Sequence, residues 1–158
     1  MIQRIQTVWL LLASGALLLL FLFPYLQYFD AFGVAMAVKI TGIYQGVSTG
    51  VVQTESFILQ TIATVIIALI PLVAIFNFRN RKKQLQITYL NILIVILLGL
   101  WFYLTANNAV IDVNKTIELE NIGIGALLVP LSLVFLFLAA KGIRKDEKLI
   151  KSVDRLRG

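Results

Sequence analysis

Residues 56–78 read SFILQTIATVIIALIPLVAIFNF, 23 residues without a charge. A helix of about 20 apolar residues crosses a hydrocarbon core about 30 Å thick. This stretch is long enough, and no period-two alternation favours a barrel strand. Three other stretches match it. Ile5 to Phe29 is uncharged over 25 residues, Gln84 to Ile111 carries the run ITYLNILIVILLGLWFYLT, and Asn121 to Ala140 reads NIGIGALLVPLSLVFLFLAA. The expected spans are therefore 5–28, 56–78, 86–106 and 121–140, with outer loops 29–55 and 107–120 and a tail at 141–158. The first run exceeds the roughly 7–15-residue apolar core of a secretory signal and reads as an uncleaved anchor.

Composition agrees with this reading. Of 158 residues, 59% are hydrophobic and 14% charged, and the mean hydropathy is +0.91. Soluble chains are about 45–50% apolar and about 25% charged. So much apolar surface argues against a soluble enzyme, and equally against disorder. There is no Cys and no His, which removes disulfides, thiolate and imidazole metal sites, haem ligation by His or Cys, and Cys or His catalysis. No HExxH, GxSxG or Gly-rich phosphate loop occurs. The expectation is a protein without catalytic residues, metal or cofactor.

Orientation follows from Lys and Arg. Of the 14 basic residues, 12 fall on one side of the expected spans: Arg4, four in Arg79–Lys83, and seven in the tail. Only Lys39 and Lys115 lie opposite, where five of the eight acids also fall. Both termini are therefore expected in the cytoplasm. The net charge of +6 belongs to this asymmetry, and no nucleic-acid partner is expected. Arg79, Arg81, Lys82 and Lys83 are read as topology determinants that also meet anionic lipid headgroups.

Both outer loops carry strand patterns. Val34, Met36, Val38 and Ile40 alternate with Ala35, Ala37, Lys39 and Thr41, and Gly42, Gly46 and Gly50 punctuate a second short strand. In the second loop Ile111 and Val113 alternate with Asp112, and Ile117 and Leu119 with Glu118, around an Asn114-Lys115 turn. An isolated hairpin is marginal in water, so the two loops are expected to join in an extracytoplasmic β-cap of three or four strands. Such a cap either covers the mouth of the helices or offers an edge to a partner.

No ionisable residue falls inside the four spans. Their polar residues include Ser14, Gln60, Thr61, Thr64, Thr88, Asn91 and Ser132. Interhelical hydrogen bonds account for these, with a polar solute site at Gln60, Thr64 and Asn91 as the rival account. Pro71 and Pro130 read as kinks. Gly123-Ile124-Gly125-Ala126 reads as a close helix–helix contact, and Tyr25, Tyr28 and Phe29 as an interfacial belt. In the tail, Leu149, Val153 and Leu156 fall at helical spacing, with Lys151, Arg155 and Arg157 on the polar face. That makes a basic amphipathic helix able to lie on anionic lipid or dock a protein.

The N-terminal stretch MIQRIQTVWLLLA and the tail KGIRKDEKLIKSVDRLR resemble a domain-of-unknown-function family of small four-helix integral membrane proteins of Bacteroidota. The resemblance spans the chain and implies no reaction, substrate or catalytic residue. It implies a Gram-negative inner membrane with periplasmic β-loops. Helix order and outer strands are also similar to the claudin arrangement, without its paired loop cysteines, an analogy of architecture alone. The fold expected is thus an all-α membrane protein, a four-transmembrane-helix bundle with a small β-cap. The function expected is that of a structural or accessory subunit, with a membrane-protein partner or a second copy; the alternative is a small transporter or channel component for an uncharged or weakly polar solute.

Overall fold

The computed structural model describes residues 2–48, 50–111 and 116–157, apart from the side chains of residues 2–4, 150, 151 and 153–157. Helix α1 (Ile2–Leu19) leads into four strands, β1 (Leu26–Phe29), β2 (Ala35–Lys39), β3 (Gly42–Val47) and β4 (Gly50–Ser56). Helices α2 (Ile58–Phe76), α3 (Arg81–Ile111) and α4 (Ile124–Arg157) follow, with a single 3-10 turn at Leu119–Asn121 before α4. The helices pack in chain order and α4 closes the ring on α1. Helices α2, α3 and the Ile124–Leu149 part of α4 are long and apolar enough to cross a membrane; the apolar part of α1, Ile5–Leu19, is shorter.

The first span was expected to run as helix to residue 28, and here the structure differs. Pro24 disfavours helical backbone at Phe23 and has no N–H to donate. The helix closes in a turn at Leu20–Leu22, and Tyr25 N–H donates to the Val38 carbonyl (3.0 Å). The chain thus enters the sheet. Tyr25 and Tyr28 are buried rather than set in an interfacial belt, and Phe29 is exposed.

The sheet is antiparallel in the order β1-β2-β3-β4. Alternation in β2 aims Val38 inward beside its partners Leu26 and Ile43, all three buried. Gly42, paired with Lys39 across the two-residue Ile40–Thr41 connection, has φ 151°, and a Cβ there would collide with the Glu55 carbonyl. Only glycine accepts that approach.

All four strands lie between α1 and α2, with β1 overlapping the end of the expected first span. The second loop was expected to supply a hairpin, and its turn and flanking residues 112–115 lie outside the described residues. Residues 116–118 have no regular structure, and among the described residues of this segment the β-bridge is Leu26 to Ile122. Packing of the helix explains the difference. Ala106, Ala109 and Val110 fall on one helical face and are buried, so α3 continues past residue 106 and takes in Val110 and Ile111, the start of the expected hairpin.

Gly123 and Gly125 also act differently from the expected helix–helix contact. Their N–H groups donate to the carbonyls of Tyr25 (3.1 Å) and Pro24 (2.9 Å), so the start of α4 is tied to main chain between α1 and β1. A Cβ at Gly125 would lie 2.7 Å from the Phe23 carbonyl oxygen. Pro71 and Pro130 both sit within continuous helix.

Candidate functional site

The helices are apolar outward and polar inward at several levels. On α3, Leu90, Leu93, Leu97, Leu100 and Leu104 are exposed, whereas Arg81, Gln84, Thr88 and Asn91 face the core. The spacing of these four, three then four then three residues, keeps them on one face. Val95, Leu98 and Phe102 continue that face as apolar core. On α2 the pattern is reversed along the axis: Gln60 and Thr64 are buried near the sheet, and Ile67, Ala68, Pro71 and Ala74 follow.

At the end away from the sheet, a polar bracket joins three helices. Gln6 Nε2 donates to Asp146 Oδ2 (2.7 Å), and its Oε1 accepts from Arg81 Nη1 (3.3 Å). Arg81 Nη1 also donates to Gln84 Oε1 (3.0 Å). Gly142 on α4 makes room for Gln6, whose Cγ would lie 2.8 Å from a Cβ there. The bracket depends on where α3 begins. Asn80 caps it, its Oδ1 accepting from Lys83 N–H (3.1 Å), and Arg81 in the first turn is directed inward.

At the sheet end, the Tyr25 ring stacks on Phe102 with centroids 5.1 Å apart. Burial pushes the Tyr25 hydroxyl up to about 12, and the neighbouring Gln60 side chain offsets this in part. No hydrogen bond closes between them: Tyr25 Oη and Gln60 Nε2 are both buried and unpartnered. The same holds for Arg81 Nη2 and for both amide atoms of Asn91, a residue 0% exposed. Thr64 and Thr88 hydroxyls turn back to the carbonyls of Gln60 (2.8 Å) and Gln84 (2.9 Å). Ser14 on α1 donates to the Ala68 carbonyl of α2 (2.7 Å), an interhelical bond of the kind expected from the sequence.

Two surface features accompany these groups. A groove of about 340 Å³ between α3 and α4, lined by Gly99, Phe102, Ala126 and Pro130, reaches the Tyr25 ring. Strand β4 is exposed along all seven residues, with Val51 71% exposed, and forms one edge of the sheet. The outer face of the sheet carries a hollow of about 500 Å³ between Phe29, Tyr44, Val51 and Glu120.

The sequence-derived residues are thereby dispersed. Gln60, Thr64 and Asn91 are buried in the helix core. Arg79, Lys82 and Lys83 are exposed, and the Arg79 guanidinium lies 5.9 Å from the Phe78 ring centroid. Arg81 is buried against Gln6 and Gln84 rather than turned toward lipid. The tail continues α4 as helix to Arg157, and Leu149 is exposed on it. The side chains of Lys151, Val153, Arg155, Leu156 and Arg157 lie outside the described residues. Sequence reasoning passed over Gln6 and Asp146, which are 140 positions apart. The signal was faint: an uncharged amide at the start of an apolar run, and one acid among the tail's many bases.

A family model described as "Domain of unknown function (DUF4293)" matches residues 2–156. No curated protein matches the chain.

Proposed function

We propose the following for a chain that belongs to the DUF4293 family: it is a non-enzymatic integral protein of a bacterial inner membrane, a structural or accessory subunit of a membrane complex. One observation carries this. Large apolar side chains cover the outside of the helices while Gln6, Gln84, Thr88 and Asn91 are buried within, an exterior that water disfavours and a hydrocarbon solvent favours. The resemblance to a Bacteroidota family supports the inner-membrane assignment. The distribution of Lys and Arg supports cytoplasmic termini and a periplasmic sheet. Exposed Arg79, Lys82 and Lys83 then meet anionic headgroups, and the open β4 edge suits a membrane-protein partner or a second copy.

Two measurements test this. Reporter fusions after Gly158 and within Gly42–Gly50 should give opposite sidedness; same-side signals would refute the topology. Affinity purification in mild detergent should recover a stoichiometric partner or a homo-oligomer, and a clean monomer would refute the subunit role.

A second reading, a small transporter for an uncharged or weakly polar solute, is favoured by the buried Gln60, Thr64 and Asn91. It predicts solute flux in liposomes that Gln60→Ala or Asn91→Leu abolishes.

A further inference from the structure

We propose that a file of bound water threads the helix core between Tyr25 and Arg81, linking the polar groups of the sheet end to the bracket at the opposite end. Among the described residues, the buried side-chain polar atoms without a partner are Tyr25 Oη, Gln60 Nε2, Asn91 Nδ2 and Oδ1, and Arg81 Nη2. They stand on three segments: Tyr25 just before β1, Gln60 on α2, and Asn91 and Arg81 on α3. Gln60 and Thr64 stand on one face of α2, and Asn91, Thr88 and Arg81 on one face of the adjacent α3.

The two halves meet in depth. Helices α2 and α3 are antiparallel neighbours joined by residues 77–80. At about 1.5 Å per residue, Thr64 lies about 18 Å above the end of α2 at Phe76, and Asn91 about 15 Å above the start of α3 at Arg81. They are level to within one helical turn, so the polar face of α2 ends at the depth where that of α3 begins.

The occupant follows from the groups. Asn91 presents a donor and an acceptor, both unpartnered, so its partner must both accept and donate. Tyr25 Oη is itself amphoteric, whereas Gln60 Nε2 and Arg81 Nη2 require acceptors. No charge of opposite sign is needed at Asn91. Water is the smallest molecule that satisfies every member, and buried water typically makes about three such bonds. The Gln6–Asp146 and Gln6–Arg81 bonds close the end of the file at α1 and α4.

The inference rests on the membrane reading for its surroundings, and the test separates the two. The full chain is reconstituted in nanodiscs of phosphatidylethanolamine and phosphatidylglycerol, and magnetisation transfer from water and from lipid chains is followed by NMR. Transfer from water to the Asn91 and Gln60 side-chain amides should be at least threefold faster than to the backbone N–H groups of Val95 and Leu98. Asn91→Leu should slow the transfer to Gln60 and leave Tm unchanged or lower. Transfer to Asn91 no faster than to Val95 would overturn the water file, as would a rise in Tm for Asn91→Leu, the signature of an amide buried dry. Lipid-chain transfer to exposed Leu100 and Leu127 reports membrane embedding independently. Its presence with a dry Asn91 refutes the water alone, and its absence refutes the membrane reading.

Discussion

The two ends of the helix assembly are held by different chemistry. At the sheet end the ties are main chain: Gly123 and Gly125 donate to the carbonyls of Tyr25 and Pro24, and Phe57 N–H donates to the Thr41 carbonyl (3.0 Å). Any residue small enough supplies such bonds, so specificity there is steric. At the opposite end the ties are side chains, Gln6 with Asp146 and Arg81. Each depends on one particular residue, but an apolar set of similar shape would remove the need for it. One end therefore tolerates chemical change but no added volume, and the other does not tolerate the loss of one partner.

The largest effect expected is at the sheet end. Gly125→Val places atoms against the Phe23 and Pro24 carbonyls and should cost about 3 kcal/mol or more, enough to lose folded protein in detergent size-exclusion runs. Recovery of monodisperse protein with an unchanged Tm would break the steric half of the comparison.

Next comes the bracket. Gln6→Leu strands Asp146 and leaves Arg81 with Gln84 alone, and should destabilise by about 2–3 kcal/mol. Adding Asp146→Leu and Arg81→Met should recover most of that loss, because no buried charge then lacks a partner. Thermal unfolding of the single and triple variants measures both. A triple variant as unstable as the single would show that the polar contacts themselves hold this end.

Alkali distinguishes the ends again. The Tyr25 hydroxyl, raised to about 12 by burial, ionises at about 10 in the unfolded chain. Its contribution is complete below pH 10 and is lost as pH rises toward 12, about 1–2 kcal/mol. Tyr25→Phe should flatten this slope, read as Tm against pH relative to the parent, while Gln6→Leu should leave the slope unchanged. The smallest effect is midway between the ends. Ser14→Ala removes the hydroxyl bond to the Ala68 carbonyl and should cost about 0.6 kcal/mol in the same melts.

Much of the helical layer is legible from local pattern, because each long apolar run bounded by charge admits one reading. Two boundaries escape that logic. Pro24 lies inside an uncharged run, so a hydropathy count passes over it, although its backbone chemistry ends the first helix. The second loop alternates like a strand, but Ala106, Ala109 and Val110 have neighbours to pack against as helix. Packing, which no local count contains, decided in favour of helix. The buried polar residues were visible as residue types, yet Gln60 and Asn91 acquire meaning only from their burial without partners.

By itself the sequence determined the apolar helices, the strand pattern of residues 34–41 and the lopsided charge, since each depends on neighbours a few positions away. Tertiary structure alone decided that Arg81, one of four basic residues within five positions, turns inward while Lys82 and Lys83 stay outside. It likewise decided that Gln6 lies between Arg81 and Asp146. Contacts across 75 and 140 positions exist only once the ring of helices has closed, because a side chain's partner is set by the helix opposite it and not by its place in the chain.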